Sequence, residues 1–496
     1  MGAIILERDS FNILGVVSVT TLASFLTGLN ARLAVVGLPV IAHELGADLD
    51  TILWIIQGFM LGSTIIQLIV GRLSDLFGRV KLFNLGFLIF TTAAVVAGFS
   101  PNSFILILAR IIQGTGAAFL MTLSVTILTD NVQKNRLGTW LGINQVAWRG
   151  GAVVGLSLSG VIIDYFGWRW IYLFYVPLGF GFYIWSAHTL KEVYKPTEKP
   201  NLDKVGFILF TVFLTFILIA LSLLAFGTAF LTLASILLFA SILFFVSFVF
   251  WENRIPWPAL DLSLFEIWPF SGGIISQFLY SIGFGASTTL LVLYLEVVNG
   301  LSATLTGFLL IPFELSYLIF GVLGGRLSDK YGYVPIASSG LLASAIAFYG
   351  LSTIAPESSL NFVMLCEILF GFGAGLFIAP NTSSIMSSVP LSKRGVASAL
   401  RAVSFNIGFV LSLNVAIISM VEFIPYDVAS RLIMAEGFIT NSGESLMDLS
   451  NALSKSFGMQ ALAMALAIPF TLTRSIHHLR NLLTRKKGEK YTPGSA

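Results

Sequence analysis

Apart from Arg401, expected to snorkel to the cytoplasmic side, five charged side chains stand inside long apolar stretches of this chain. Arg32, Arg110 and Arg149 fall in its first half, Glu314 and Glu367 in its second. A charge at the centre of a bilayer costs about 2.5–3.5 kcal/mol on insertion scales, so such residues pair with one another or line a polar path. Arginine offers a rigid fork of donors to an anionic group, and a carboxyl in apolar surroundings can take up and release a proton. With the neighbouring polar groups Asn30, Gln113 and Tyr317, these residues form the expected path for a solute and for protons. Arg110 and Glu367 are expected on opposite walls of one central cavity.

A second constellation is duplicated. Gly71-Arg72-Leu73-Ser74-Asp75-Leu76-Phe77-Gly78-Arg79 is followed 254 positions later by Gly325-Arg326-Leu327-Ser328-Asp329-Lys330-Tyr331-Gly332-Tyr333. Read as loops, these segments use glycine for a tight turn, and an aspartate there can meet the positive end of a neighbouring helix. Gly71, Asp75, Gly78, Arg79, Asp329 and Lys330 are therefore expected to act as a latch between helices. Tyr333 stands where the first copy has Arg79, so the second latch is expected to be the weaker.

Signatures of other chemistry are missing from the sequence. His43, His188, His477 and His478 fall at the ends of apolar runs or outside them, and Cys366 is the single cysteine. There is no His-Glu-x-x-His pair and no phosphate-binding glycine loop, so the residues name no catalytic group, cofactor or metal site. The net charge of +3 does not point to nucleic acid.

The elements that must hold these residues are membrane helices. Hydrophobic residues make up 56% of the chain and charged residues 11%, against about 25% charged in soluble domains. A spanning helix needs about 20 mainly apolar residues, and fourteen segments qualify: 13–38, 52–71, 81–99, 103–128, 138–163, 168–189, 205–225, 229–251, 269–298, 304–325, 333–355, 360–386, 395–421 and 456–476. The first is too long for the core of a signal peptide and is expected to be retained. With the N-terminus inside, 21 Lys and Arg fall in inside loops and tails and three in outside loops, so both termini are expected to be cytoplasmic.

The duplication extends beyond the latch. Leu108–Ala117 matches Leu365–Ala374, 257 positions on. Spans 1–6 (1–190) and 9–14 (269–496) read as two six-helix halves, with 191–268 carrying spans 7 and 8 as an insertion. Those two spans have no charge between Val205 and Trp251 and are expected to face lipid. The substrate site is expected near the midplane between the halves.

These residues resemble a known family. The Gly71 segment is similar to the signature loop of the major facilitator superfamily. Leu29–Pro39, Arg110-x-x-Gln113-Gly114-x-Gly116, Asp164-Tyr165-Phe166-Gly167-Trp168-Arg169-Trp170, Pro177-Leu178-Gly179, Tyr294-Leu295-Glu296 and Gly307-x-x-x-x-Pro312 resemble its fourteen-segment drug:proton antiporters. The resemblance implies an all-α membrane fold of two six-helix halves plus two inserted helices, proton-coupled export of amphiphilic compounds, and an extracellular loop over 422–455. Two positions depart from that family: Asn30 stands where its first span carries an acid, and Gly155-Leu156 where its fifth reads Gly-Pro. A transporter of organic anions or lipids is the alternative within the class. A receptor or scaffold would need more than the 22 residues that follow Arg474. The expected partners are a small-molecule substrate, protons and the bilayer of the cell membrane, with the chain a monomer.

Overall fold

The computed structural model describes residues 10–47, 49–193, 201–434 and 446–488. Fourteen helices in it are long and apolar enough to cross a membrane. In hydrocarbon every backbone N–H and C=O must be satisfied within the segment, which leaves the helix as the solution for such runs. Spans 1–6 are Ser10–Val36, Leu49–Phe77, Arg79–Gly98, Ser103–Asn131, Leu137–Phe166 and Tyr175–Thr189. Spans 7 and 8 are Lys204–Phe226 and Leu231–Glu252. Span 9 is Trp268–Gly285, prolonged by Ser287–Leu293 and a π turn over Tyr294–Val298. Spans 10–14 are Ala303–Tyr331, Tyr333–Leu351, Leu360–Ser388, Arg394–Met420 and Leu446–Gly488.

The duplicated segments are helical over most of their length. Span 2 runs on to Phe77 and span 10 to Tyr331, so only Gly78 and Gly332 separate each from the next helix. Both adopt positive φ, 99° and 87°, where a side chain would be strained. The expected loops are thus single-residue turns, and Asp75 and Asp329 project from rigid helix ends.

Within the first half, span 5 packs on span 1, and span 4 on spans 2 and 3. In the second, span 12 packs on spans 10 and 11, and span 9 on spans 13 and 14. The halves meet where span 5 crosses span 10 and span 2 crosses span 13.

The inserted pair differs from the expectation. Span 8 presents most of its surface outward, but span 7 wedges between spans 2 and 13, placing Leu218 and Leu221 on Val410 beside Met60 and Leu61. Asn414 donates to the Leu221 carbonyl at 3.1 Å, and Asp427 accepts from the Thr228 N–H at 2.9 Å. Span 7 is apolar on every side, so its sequence carries no stripe to mark the packed face. The 422–455 segment also holds more structure than expected: a short helix over Tyr426–Met434, and a last span that begins at Leu446. Residues 435–445 lie outside the described residues.

Candidate functional site

Near the middle of span 5, Arg149 reaches across to Glu314 of span 10, with Nη1 2.8 Å from Oε1. This ion pair joins the two halves. Its arginine side chain is 7% exposed and its carboxylate 26%, so the pair sits at the edge of the buried region rather than in open water. Around the guanidinium stand four aromatic rings, with centroids at 4.8 Å for Tyr317, 5.0 Å for Phe313, 5.1 Å for Phe284 and 5.8 Å for Trp148. Each such contact is worth about 0.5–2 kcal/mol, more as water is excluded, so the cage holds the arginine in place. Beyond it, Phe284 joins Tyr280, Phe370, Phe405 and Phe409 in a continuous aromatic wall.

Glu367 of span 12 is buried and within electrostatic reach of Arg149 and Glu314. One oxygen each of Glu314 and Glu367, and the hydroxyl of Tyr280, are buried without a hydrogen-bond partner. All three groups belong to spans of the second half and lie within electrostatic reach of Arg149. They can hold a proton or a polar group of a solute.

The structure parts two residues that the sequence expectation joined. Arg110 does not face Glu367; it turns into the bundle of the first half, where it meets Asn30, Gln113 and the Ile55 carbonyl. The first-half arginine that meets an acid of the second half is Arg149 instead. Arg32 lies in span 1, and its side chain is outside the described residues.

At one end of the molecule, the latch residues tie the halves together. Asp75, at the end of span 2, accepts from the N–H groups of Gly395 and Val396, at 3.0 and 3.1 Å, which open span 13. Asp329, at the end of span 10, accepts from Gly138 and Thr139 N–H, both at 2.8 Å, which open span 5, and from the Thr139 hydroxyl at 2.6 Å. Each aspartate therefore caps a helix of the opposite half, where the orphan N–H groups and helix dipole favour a negative charge.

Arg79 strengthens the first latch. It pairs with Asp75 at 3.0 Å, with Asp130, and with the Leu391 carbonyl at 2.6 Å. Arg394 adds a bond to Asp130 at 3.0 Å, and Glu192 receives the Arg79 and Val80 N–H groups at the start of span 3. Lys330 makes no ion pair among the described residues, and its ammonium lies over the Tyr331 ring at 5.0 Å. Asp261 in the linker after span 8 holds Lys393, in the turn that precedes span 13. Partial burial opposes its ionisation, but hydrogen bonds from Lys393 and Ser263 prevail and hold its carboxyl below the ordinary range.

The backbones touch at these crossings. A Cβ on Gly71 would lie 2.6 Å from the Gly395 carbonyl oxygen, and one on Gly325 2.2 Å from that of Gly138. Gly325→Ala is therefore expected to hold the latch end apart, at a cost of about 1–3 kcal/mol to the closed state. Spin-label distances between spans 5 and 10 at that end should lengthen in the variant.

Sequence reasoning missed Gly138, Gly395, Asp130, Arg394 and Glu192. A signal was present for the first two. Lys134–Gly138 and Leu391–Gly395 are spaced by the same 257 residues as the span 4 and span 12 repeat, and both form a 3-10 turn before a helix. Asp130 and Glu192 carry no such pattern.

The sequence profile of the Major Facilitator Superfamily matches residues 20–275 and 273–423. The riboflavin transporter RibZ of Clostridioides difficile is 28% identical over 394 residues, covering 78% of this chain and 84% of that protein. The multidrug transporter protein MdtP of Bacillus subtilis is 25% identical over 390 residues, covering 76% and 70%. Among solved structures, the proton:xylose symporter XylE superposes with a TM-score of 0.64 at 15% identity, over 93% of this chain and 96% of that one, a likeness of fold. With two six-helix halves closed on each other by a duplicated latch, the chain belongs to the Major Facilitator Superfamily of multi-pass membrane transporters.

Proposed function

We propose that this transporter exports amphiphilic small molecules across the cell membrane in exchange for protons, by alternating access. The observation that carries the reading is the Arg149–Glu314 pair, which spans the two halves inside an aromatic cage. Protonation of Glu314 removes the charge that holds Arg149, so one proton weakens the contact between the halves. An aromatic or apolar solute fits the surrounding rings, and its polar group meets the released guanidinium. Glu367 is the second acid of the path, near enough to exchange a proton through water or solute. The names of RibZ and MdtP, one a riboflavin and one a multidrug transporter, agree with flat, partly apolar cargo.

Both termini are cytoplasmic in this reading, which puts the latches on the inner face. Among the described residues, the inter-half hydrogen bonds and ion pairs run from the latches through Ser398–Thr122 and Asn406–Thr64 to Arg149–Glu314. The central site then opens to the outer face in this state.

The reading is tested with purified protein in liposomes. Each member of a panel of neutral, anionic and cationic amphiphiles is added, and proton movement is followed with a pH-sensitive dye. Substrate-dependent proton flux is expected, with neutral and anionic amphiphiles preferred over quaternary ammonium dyes because Arg149 repels a fixed cation. Transport of a quaternary ammonium dye at the same rate, or flux of solute without protons, would refute it.

A further inference from the structure

Arg110 carries a full positive charge into the core of the first half, with 2% of its surface exposed. Guanidinium does not deprotonate in proteins, so this charge must be compensated. Its Nε donates to the Ile55 carbonyl at 3.2 Å, and Nη1 to Asn30 Oδ1 at 2.8 Å and Gln113 Oε1 at 2.6 Å. The faces of Phe59 and Tyr172 lie 4.5 and 5.7 Å away. Every one of these partners is neutral. Among the described residues no carboxylate lies within ion-pair distance of Arg110, nor of the buried Arg401 and Arg474, whereas Arg79, Arg149 and Arg394 each have at least one.

The surroundings are short of acceptors as well as of negative charge. The Asn30 and Gln113 side-chain nitrogens and the hydroxyls of Tyr172 and Tyr175 are all buried without a partner. All four residues are fully buried. A buried donor left unmade costs about 1–3 kcal/mol, and here several surround a cation that has no carboxylate partner among the described residues. The residue at position 30 sets this balance. An aspartate there would place a carboxylate oxygen where Asn30 Oδ1 now meets Arg110, and the charge would be cancelled from within. Asn30 supplies an amide donor instead.

We propose that Arg110, Asn30, Gln113, Tyr172 and Tyr175 bind one monovalent anion, a chloride-sized ion or the carboxylate of a small organic acid, which neutralises Arg110. The site is enclosed by spans 1, 2, 4 and 6 and by the short helix Trp170–Leu173 that precedes span 6, apart from the Arg149–Glu314 pair. It is a counter-ion site, and the first half is complete only when it is filled.

The test uses the full chain in lipid nanodiscs, with chloride titrated against sulfate, a divalent ion outside the proposed class, at constant ionic strength. Binding of radiolabelled chloride is measured directly, and thermal unfolding is followed in parallel. Saturable binding of a single chloride and a rise in unfolding temperature are expected. In Asn30→Asp the new carboxylate takes the place of the ion, so chloride binding should weaken by at least about tenfold. Its unfolding temperature should no longer depend on the anion. Competition by acetate or benzoate would assign the site to organic carboxylates as well; its absence would restrict the site to inorganic ions. Anion-independent stability with no saturable binding in the parent would overturn the proposal, and so would full chloride binding in Asn30→Asp. Because Asn30→Asp adds a favourable partner and keeps the side-chain shape, the test does not depend on a variant that leaves Arg110 bare.

Discussion

Glu314→Gln is expected to uncouple solute movement from the proton gradient. Glutamine keeps the shape of glutamate and can still accept from Arg149, but it cannot take up a proton and carries no charge. The inter-half contact would then have a single strength at all pH values. Coupling between two sites is typically worth about 1–3 kcal/mol, or roughly 5–150-fold in affinity, and that is the size of the proton-dependent gain that should disappear. The partly exposed position of Glu314, at 26%, favours the lower end of that range. Solute-dependent proton flux in liposomes should fall to background while solute exchange at equal concentrations persists. Unchanged flux would move the proton site to Glu367, the other acid within reach of Arg149.

Asp75→Ala should have the second large effect, on the balance between conformations rather than on binding. The buried Asp75 carboxylate accepts two N–H groups at the start of span 13 and pairs with Arg79. Hydrogen bonds to a charged group contribute about 1.5–3 kcal/mol each, so its loss should favour the state open at the latch end by tens-fold or more. Asp329→Ala removes three bonds of the same kind, but among the described residues Asp329 makes no ion pair, and the site is less buried. Its shift should be smaller. Cysteine accessibility at the latch end, compared among parent and both variants, reads this out. Solute affinity is expected to stay near the parental value, since the central pair lies well away from either latch. Identical accessibility in parent and Asp75→Ala would refute the role of the latch.

Much of this molecule was legible in one sequence because a membrane constrains it so strongly. Fourteen apolar runs can only be helices in hydrocarbon. The 254-residue repeat declares two related halves, and an aspartate repeated beside a glycine turn points to helix capping in both. The residue classes of the site were legible too, since a charge in an apolar run must have a reason.

Pairing was not legible. Repeat arithmetic set Arg110 against Glu367, but a charge on a helix gives no direction until the helix is rotated against its neighbours. In the fold, Arg110 turns inward to Asn30 and Gln113, and Arg149, one span later, meets Glu314. The same holds for span 7, whose uniform apolar surface hides its place between spans 2 and 13. The sequence by itself determined the number of spans, the two halves and which residues carry charge, because each follows from hydropathy and repetition along the chain. Only the tertiary structure decided which charge answers which. Ion pairs, caps and aromatic cages depend on the rotation and approach of whole helices, which are set by backbone contacts such as Gly71 on Gly395 and Gly325 on Gly138.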